Sequence, residues 1–241
     1  MNLKQIWVYL QSNTITSNKM KTLKLITIQF ENEISQSQIS LFRGAVNAVL
    51  EGGHSVLFHN HNDDGLRYSY PLIQYKRLNR KAAVVSIAQG TEAIDELLNA
   101  DTRKMLIGYK IKDFEVAAVK AETFKVDFCQ DKQRYQLRGW LPFNSKNYKE
   151  YLQKDGLVEQ VSFLNQVLTG NILSFLKGIG EFVEEKVVCS ITSVSESRIV
   201  TLKGVKMMSM DVEFIANLSL PEGIGLGKGV SVGYGVISKI Q

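Results

Sequence analysis

Histidine is almost missing from this chain: its three copies, His54, His59 and His61, all fall within eight consecutive positions. Cysteine is scarcer still. Cys129 and Cys189 lie far apart with no C-x-x-C spacing, which argues against a zinc knuckle or a disulfide framework and for two reduced, buried thiols. No apolar run approaches the roughly 20 residues needed to cross a bilayer, and Ile6 to Leu10 is too short for the core of a signal peptide. The chain therefore reads as soluble and cytoplasmic, with no membrane partner. An excess of one charge is also nearly lacking, with 29 Lys+Arg against 24 Asp+Glu, but the balance is uneven. Residues 101–150 carry eleven Lys/Arg against seven Asp/Glu, and Lys76, Arg77, Arg80 and Lys81 form a separate basic knot. Such local excess suits a polyanion that touches several surfaces, and it equally suits the solvated faces of strands.

The length allows one large core or two smaller ones of about 100 residues each. Residues 1–19 are polar and without period after Leu10, and read as an N-terminal extension. "MKTLKLITIQFE" then alternates as a strand. Ser35 or Ser37 can cap "SQISLFRGAVNAVLEGG", where Ile39, Phe42, Val46 and Val49 predict an amphipathic helix ended by Gly52-Gly53. "YSYPLIQYKRL" and "KAAVVSIAQG" predict two strands joined at Asn79-Arg80. "GTEAIDELLNA" predicts a helix capped by Thr91, and "RKMLIGYKI" a further strand. The order is β-α-β-β-α-β, the split βαβ or ferredoxin-like unit. In the second half, "VKAETFKVDFC" and "QRYQLRGWLPF" predict a hairpin around Asp131-Lys132. Lys146 to Leu176 is helical with breaks near Gly156 and Gly170, and strand signals then return to the end. By analogy of element order this half is a second αβ unit. The expected division is an extension over 1–19, one domain over 20–115 and a second over 116–241, all of α+β class.

"PEGIGLGKGVSVGYGVI" holds six glycines, Gly223, Gly225, Gly227, Gly229, Gly233 and Gly235. A dense glycine loop frees the backbone for positive φ and can bring N–H groups close to a phosphate. It is not a Walker loop, since Lys228 is followed by glycine rather than Ser/Thr, and no helix follows it as a Rossmann fingerprint requires. It reads either as a tight loop before a terminal strand or as a phosphate contact centred on Lys228.

The split βαβ half, the histidine cluster after its first helix and the C-terminal "LPEGIGLGKGVSVGYG" together resemble the repeat-processing endoribonucleases of CRISPR systems, members of the RAMP superfamily. The stretch "LFRGAVNAVL…LFHNHNDDGLRYSYPLIQYK" is similar to the branch with an H-x-H pair and a tyrosine shortly downstream. The resemblance covers residues 20 to 241. It implies two tandem ferredoxin-like domains and cleavage of CRISPR repeat RNA without metal or cofactor, leaving a 5′-hydroxyl and a cyclic phosphate. By the same resemblance the pair is His59 and His61 and the tyrosine is Tyr68, with His54 outside the match. A CRISPR effector complex and a homodimer are the further assemblies it brings into view.

Internal attack needs a proton removed from a 2′-hydroxyl and another delivered to the leaving 5′-oxygen. Imidazole suits both, with a pKa of about 6.5 near working pH. On an extended segment His59 and His61 would share one face. Tyr68 would position the 2′-hydroxyl or the phosphate, and Lys76 or Lys228 would stabilise charge. The expected RNA-binding set is Arg43, Lys76, Arg77, Lys125, Arg134 and Arg138, with Gly225, Gly227, Lys228 and Gly229 of the loop. Two rivals stand beside this: a metallohydrolase using His59, His61 and Asp63, and a non-cleaving guide-RNA-binding subunit. The plainest reading makes "HNHNDDG" a polar turn.

Overall fold

The computed structural model describes residues 22–50, 56–59, 61–62, 65–66 and 70–240, with side chains left aside at 56, 59, 61, 62, 65 and 66. The expected extension, His54, Gly52-Gly53 and Tyr68 lie outside the described residues. Strand β1 (Thr22–Glu33) has two working faces. Ile28 and Phe30 are buried in the core under the helices, while Leu25, Thr27 and Gln29 line a cleft on the other side. A 3-10 turn follows, closed by a capping box in which the Ser35 N–H donates to Gln38 Oε1 at 2.9 Å. It leads into helix α1 (Ile39–Val49), which buries Ile39, Phe42, Ala45 and Val46. After the short pieces α2 (Val56–His59), β2 (His61–Asn62) and β3 (Gly65–Leu66) come β4 (Ile73–Leu78) and β5 (Lys81–Ile87). Asn79 and Arg80 join these two, both at positive φ (49° and 69°), the geometry that keeps a two-residue hairpin in step with strand twist.

Helix α3 (Ile94–Asn99) follows a 3-10 stretch over Ala88–Ala93. Thr91 does not cap it: its hydroxyl donates backwards to Ala88 O at 2.7 Å, within that 3-10 stretch. "RKMLIGYKI" is not a strand of the main sheet. Gly108, at φ 65°, folds it into a separate hairpin, β6 (Met105–Ile107) with β7 (Lys110–Lys112). The fourth strand is β8 (Val116–Lys125), antiparallel to β1 from Thr22↔Lys125 to Phe30↔Val116. The first sheet thus runs β4-β5-β1-β8, all antiparallel, and continues through Lys125, past the boundary expected at residue 115.

The second sheet repeats that plan. Strand β9 (Phe128–Trp140) passes unbroken through Asp131-Lys132, so the predicted hairpin with β8 does not exist. Helices α4 (Ser145–Leu152) and α5 (Gly156–Gly178) follow; Gly156 starts the second helix, but Gly170 does not interrupt it. Then come β10 (Cys189–Val194), β11 (Arg198–Leu202), β12 (Val205–Leu218) and β13 (Val236–Lys239), in the order β10-β12-β9-β13, with β11 folded back on β12. This is again the ferredoxin-like order, except that a glycine-rich segment, 219–235, stands where the second helix of the plan would be. Tyr135, Leu137 and Trp140 of β9 and Met210, Val212 and Phe214 of β12 meet Phe163, Leu164, Leu168, Ile172 and Phe175 of α5 in one core. Each such fully buried side chain contributes about 1.5–3 kcal/mol. Cys189 is buried, Cys129 half-buried and both are free.

Among the described residues no helix is long and apolar enough to cross a membrane.

Candidate nucleic-acid interface and histidine segment

His59 ends helix α2 and His61 opens β2. The two are therefore not on one extended segment, and the shared-face argument from strand alternation does not hold. The cause is Phe58: a helical turn over Val56–His59 places its ring in the first unit's core, where it is buried. Strand β2 pairs antiparallel with β3, with His61 opposite Leu66 and Asn62 opposite Gly65. Tyr68 and Asp63 lie outside the described residues.

The segment's far end is anchored by Tyr70, which is buried. Its ring meets Phe175 edge-on, with centroids 5.3 Å apart, against a stretch of α5 where Gly178 leaves it room. Its hydroxyl donates to Gly225 O at 2.9 Å and accepts from Gln74 Nε2 at 2.8 Å. Burial holds the Tyr70 phenol neutral, far above its ordinary pKa. Gln74 also accepts the Gly225 N–H at 2.9 Å, so Gln74 and Tyr70 between them tie both polar groups of one loop residue into the first unit.

Strand β4 explains how. Ile73 and Tyr75 face the first core, whereas the alternate residues Gln74 and Lys76 face the glycine-rich loop. Lys76 is 0% exposed, donates to Val230 O at 3.2 Å, and is pushed by burial from 10.5 down to about 7. It is therefore a support beneath the loop and not a surface phosphate contact, because its ammonium is sealed from solvent. The loop backbone runs alongside the open edge of β4, where Tyr75 N donates to Ser231 O at 3.0 Å and pairs in parallel with Val232. Arg43 reaches across from α1 to Ser231 Oγ at 3.2 Å, and Gln36 to Gly233 O at 3.3 Å. Val232 belongs to the first unit's core, and Leu25, Tyr70, Val85 and Ile87 belong to the second's.

The loop's donors are largely consumed within the protein. Gly225, Leu226, Lys228, Val232, Tyr234 and Gly235 give their N–H groups to Gln74, Gly235, Leu141, Gly229, Gly229 and Gly139 respectively. Its glycines answer to packing. A side chain on Gly225 would meet Val230 at 2.7 Å and the Lys76 ammonium at 2.8 Å, and one on Gly227 would strike Trp140 at 2.7 Å. Lys228 is exposed at the tip.

Between the open faces of the two sheets lies a cleft of about 1070 Å³. Leu25 and Gln29 of β1, Lys120 and Phe124 of β8, and Val236 and Ile237 of β13 line it, with Tyr234 of the loop at its margin. Four cations face it, Arg77, Lys120, Arg138 and Arg198, against Glu122 and Glu222. Lys120 is paired with Glu122 at 2.8 Å, and Arg198 with Asp211 at 2.9 Å. Of the expected RNA-binding residues, Arg77 and Arg138 lie in this cleft. Lys125 and Arg134 are exposed outside its lining, and Arg43 is committed to the loop. Basic side chains over a half-apolar, sheet-floored groove suit an extended nucleic-acid strand, whose phosphates take charge and whose bases take flat surface.

The sequence matches the model of the Cas6b N-terminal domain over residues 21–125 and that of the Cas6b C-terminal domain over 127–240. It is 32% identical to an uncharacterised protein of Methanocaldococcus jannaschii over 146 residues, 60% of this chain and 91% of that one. The crystal structure of a Cas6b superposes on 91% of this chain and 100% of its own, with a TM-score of 0.82 at 27% identity. That of a CRISPR RNA processing endoribonuclease Cas6b covers the same shares with a TM-score of 0.69 at 24% identity, a likeness of fold. With both halves matched in order and each folded as a ferredoxin-like unit, the chain belongs to the Cas6b family.

Proposed function

We propose that this protein is an endoribonuclease that cuts CRISPR repeat RNA by internal attack, giving a 2′,3′-cyclic phosphate and a 5′-hydroxyl without a metal ion. The observation that carries the reading is the match of both Cas6b domains to the two halves of the chain. Support comes from the cleft, whose Arg77 and Arg138 would hold the backbone of a strand passing between the sheets. It comes also from the histidine segment, fixed at one end by buried Phe58 and at the other by Tyr70 on the glycine-rich loop.

In this mechanism one imidazole of the pair His59 and His61 removes the 2′-hydroxyl proton as that oxygen attacks the adjacent phosphorus. The other protonates the departing 5′-oxygen, so the ribose breaks its own strand and no water enters the step. Tyr68 positions the scissile nucleotide, and Lys228 at the loop tip supplies a cation outside the cleft. Each proton transfer is worth roughly 10²–10⁴-fold.

The test is cleavage of a repeat transcript in EDTA by wild type, His59→Ala and His61→Ala. The expected result is cutting by wild type and a loss of about 10²–10⁴-fold in each variant, with RNA affinity retained. A substrate with one 2′-deoxy nucleotide before the scissile phosphate should bind and stay intact. Cutting of that substrate would refute internal attack. Activity lost in EDTA and restored by zinc would point to the metallohydrolase built on His59, His61 and Asp63, and binding without cutting would leave a guide-RNA-binding subunit.

A further inference from the structure

A second, smaller cavity of about 460 Å³ lies on the helical side of the second unit. Its walls are Asn144, Asn147 and Glu150 at α4, Gln166 and Asn171 on α5, and Gly227-Lys228 at the loop tip. Apart from Lys228 at its lip, no residue lining it has a part in the proposed cleavage chemistry. Three features set it apart from a chance hollow.

The first is its chemistry. Four side-chain amides and a carboxylate converge there with one cation at the lip, where Lys228 is exposed. Two amides are already oriented. Asn171 Oδ1 accepts the Trp140 indole N–H at 2.9 Å, which leaves its amide N–H₂ as the group with donors to spare. Asn144 Oδ1 accepts the Asn147 N–H at 2.7 Å, which fixes it in the same way. The second is Gly170. It sits inside the 23-residue helix α5, where glycine costs about 0.5–1 kcal/mol relative to alanine. A Cβ built there meets nothing within 4 Å, so no packing demand explains the glycine. It also lines the cavity, and its missing side chain keeps the floor open. The third is continuity. The glycine-rich segment borders the cleft at Gly223 and Gly233 and borders this cavity at Gly227 and Lys228, so one loop joins the two.

We infer that this cavity takes one unpaired nucleotide of the RNA, its base edge read by the amides and Glu150, and its phosphate met by Lys228. The inference rests on the reading that the protein binds repeat RNA. Asn147 and Gln166 present a donor and an acceptor side by side and so can pair with a base edge, Asn171 adds a donor, and the Glu150 carboxylate accepts from an exocyclic amino group. The occupant is therefore a base that carries such an amino group. Sequence-specific RNA recognition favours such splayed-out, unpaired bases.

Gly170→Leu is the decisive variant, because its Cβ meets no protein atom within 4 Å, its side chain takes up space in the cavity, and it improves helix propensity. Repeat RNA is prepared with an abasic site at each unpaired position in turn, and binding is followed by fluorescence anisotropy. Wild type is expected to lose about tenfold in affinity at one position, the size of one base contact. Gly170→Leu and Gln166→Ala should bind intact RNA with that same loss, be indifferent to that abasic site, and unfold no earlier than wild type. If wild type binds and cuts repeat RNA but Gly170→Leu matches it at every position, the cavity assignment is wrong and the cleavage reading stands. A uniform loss that leaves every abasic effect intact also overturns it, in favour of a protein contact. If wild type binds no repeat RNA, both readings fall.

Discussion

Replacing Lys76 with methionine should reverse its effect on stability between neutral and alkaline pH. Lys76 holds its proton less tightly in the folded protein, at about 7, than in the unfolded chain, at 10.5. Folding is therefore penalised at every pH below the unfolded value. The penalty grows by about 1.4 kcal/mol for each pH unit on the way down and levels off near 5 kcal/mol below the folded value. Methionine fills a similar volume and escapes this penalty, but leaves Val230 O without the bond it receives at 3.2 Å. A buried carbonyl so deprived costs about 1–3 kcal/mol at any pH. The balance makes Lys76→Met the more stable protein by about 1–3 kcal/mol near pH 7, and the less stable by up to about 2 kcal/mol near pH 10, where most of the penalty has gone. Urea unfolding followed by circular dichroism at several pH values measures this directly, and taking the difference between the two proteins cancels every other titrating group. Lys76→Arg gives the opposite control, since a guanidinium cannot shed its proton and would carry the full burial cost throughout. A wild-type-minus-methionine difference that stays flat between pH 7 and 10 would show that the ammonium is not buried as described.

Two further outcomes test the loop and the cleft. Gly235→Ala should lower stability by about 3 kcal/mol or more, since its φ of 61° is strained for alanine and its Cβ would be driven into the Leu226 carbonyl. Gly223→Ala, with φ at 80° but open space around it, should cost only the strain, about 1–2 kcal/mol, and equal losses by thermal unfolding would contradict this packing. In the cleft, Arg77→Ala and Arg138→Ala should each reduce the slope of log affinity against log salt by about 0.7 for single-stranded RNA. Slopes unchanged in both would take the RNA out of the cleft.

Much of the first unit was legible in the sequence. The apolar steps at Ile39, Phe42 and Val46 read as a helix because only one face needed burial, and Asn79-Arg80 read as a turn because polar residues there separate two strand-like runs. What misled was the edge of the first sheet. Strand β8 is exposed along nearly its whole length, so its alternation carries no record of which partner it has, and pairing it with β9 was as natural as pairing it with β1. The separate hairpin at Gly108 was similarly hidden, since "RKMLIGYKI" alternates well enough for a single strand. At the site, the histidines stood out by rarity alone, but the helical turn at Val56–His59 did not, because it is imposed by the burial of Phe58 and not by any local propensity. Gln74 was missed for the same reason. A buried amide between two apolar residues looks like an ordinary strand position until its partners in a loop some 150 residues away are known.

The glycine-rich segment shows why composition points to the right place with the wrong reason. Read alone, six glycines and a lysine suggest a backbone cradle for phosphate. In the fold, the segment replaces a helix. It must cross between β12 and β13, lie along the edge of β4, slip under Trp140 and fold tightly on its own Val230 and Leu226, and at these close approaches a Cβ would collide. Its N–H groups are used to hold that path, so they are not available in bulk to a ligand. The energetic logic follows. A helix would have satisfied its own backbone and needed nothing from the first unit, whereas this loop draws on Gln36, Arg43, Tyr70, Gln74 and Lys76 for partners. Each of those bonds crosses from one ferredoxin-like unit to the other. The two units are therefore stitched together at the point where the histidine segment joins β4, and the loop keeps only its tip, Lys228, for a ligand. A change that loosens the stitching should then be felt as misplacement of the histidine segment and of the cleft cation Arg77 together, because β4 carries Arg77 and is one of the strands the loop holds.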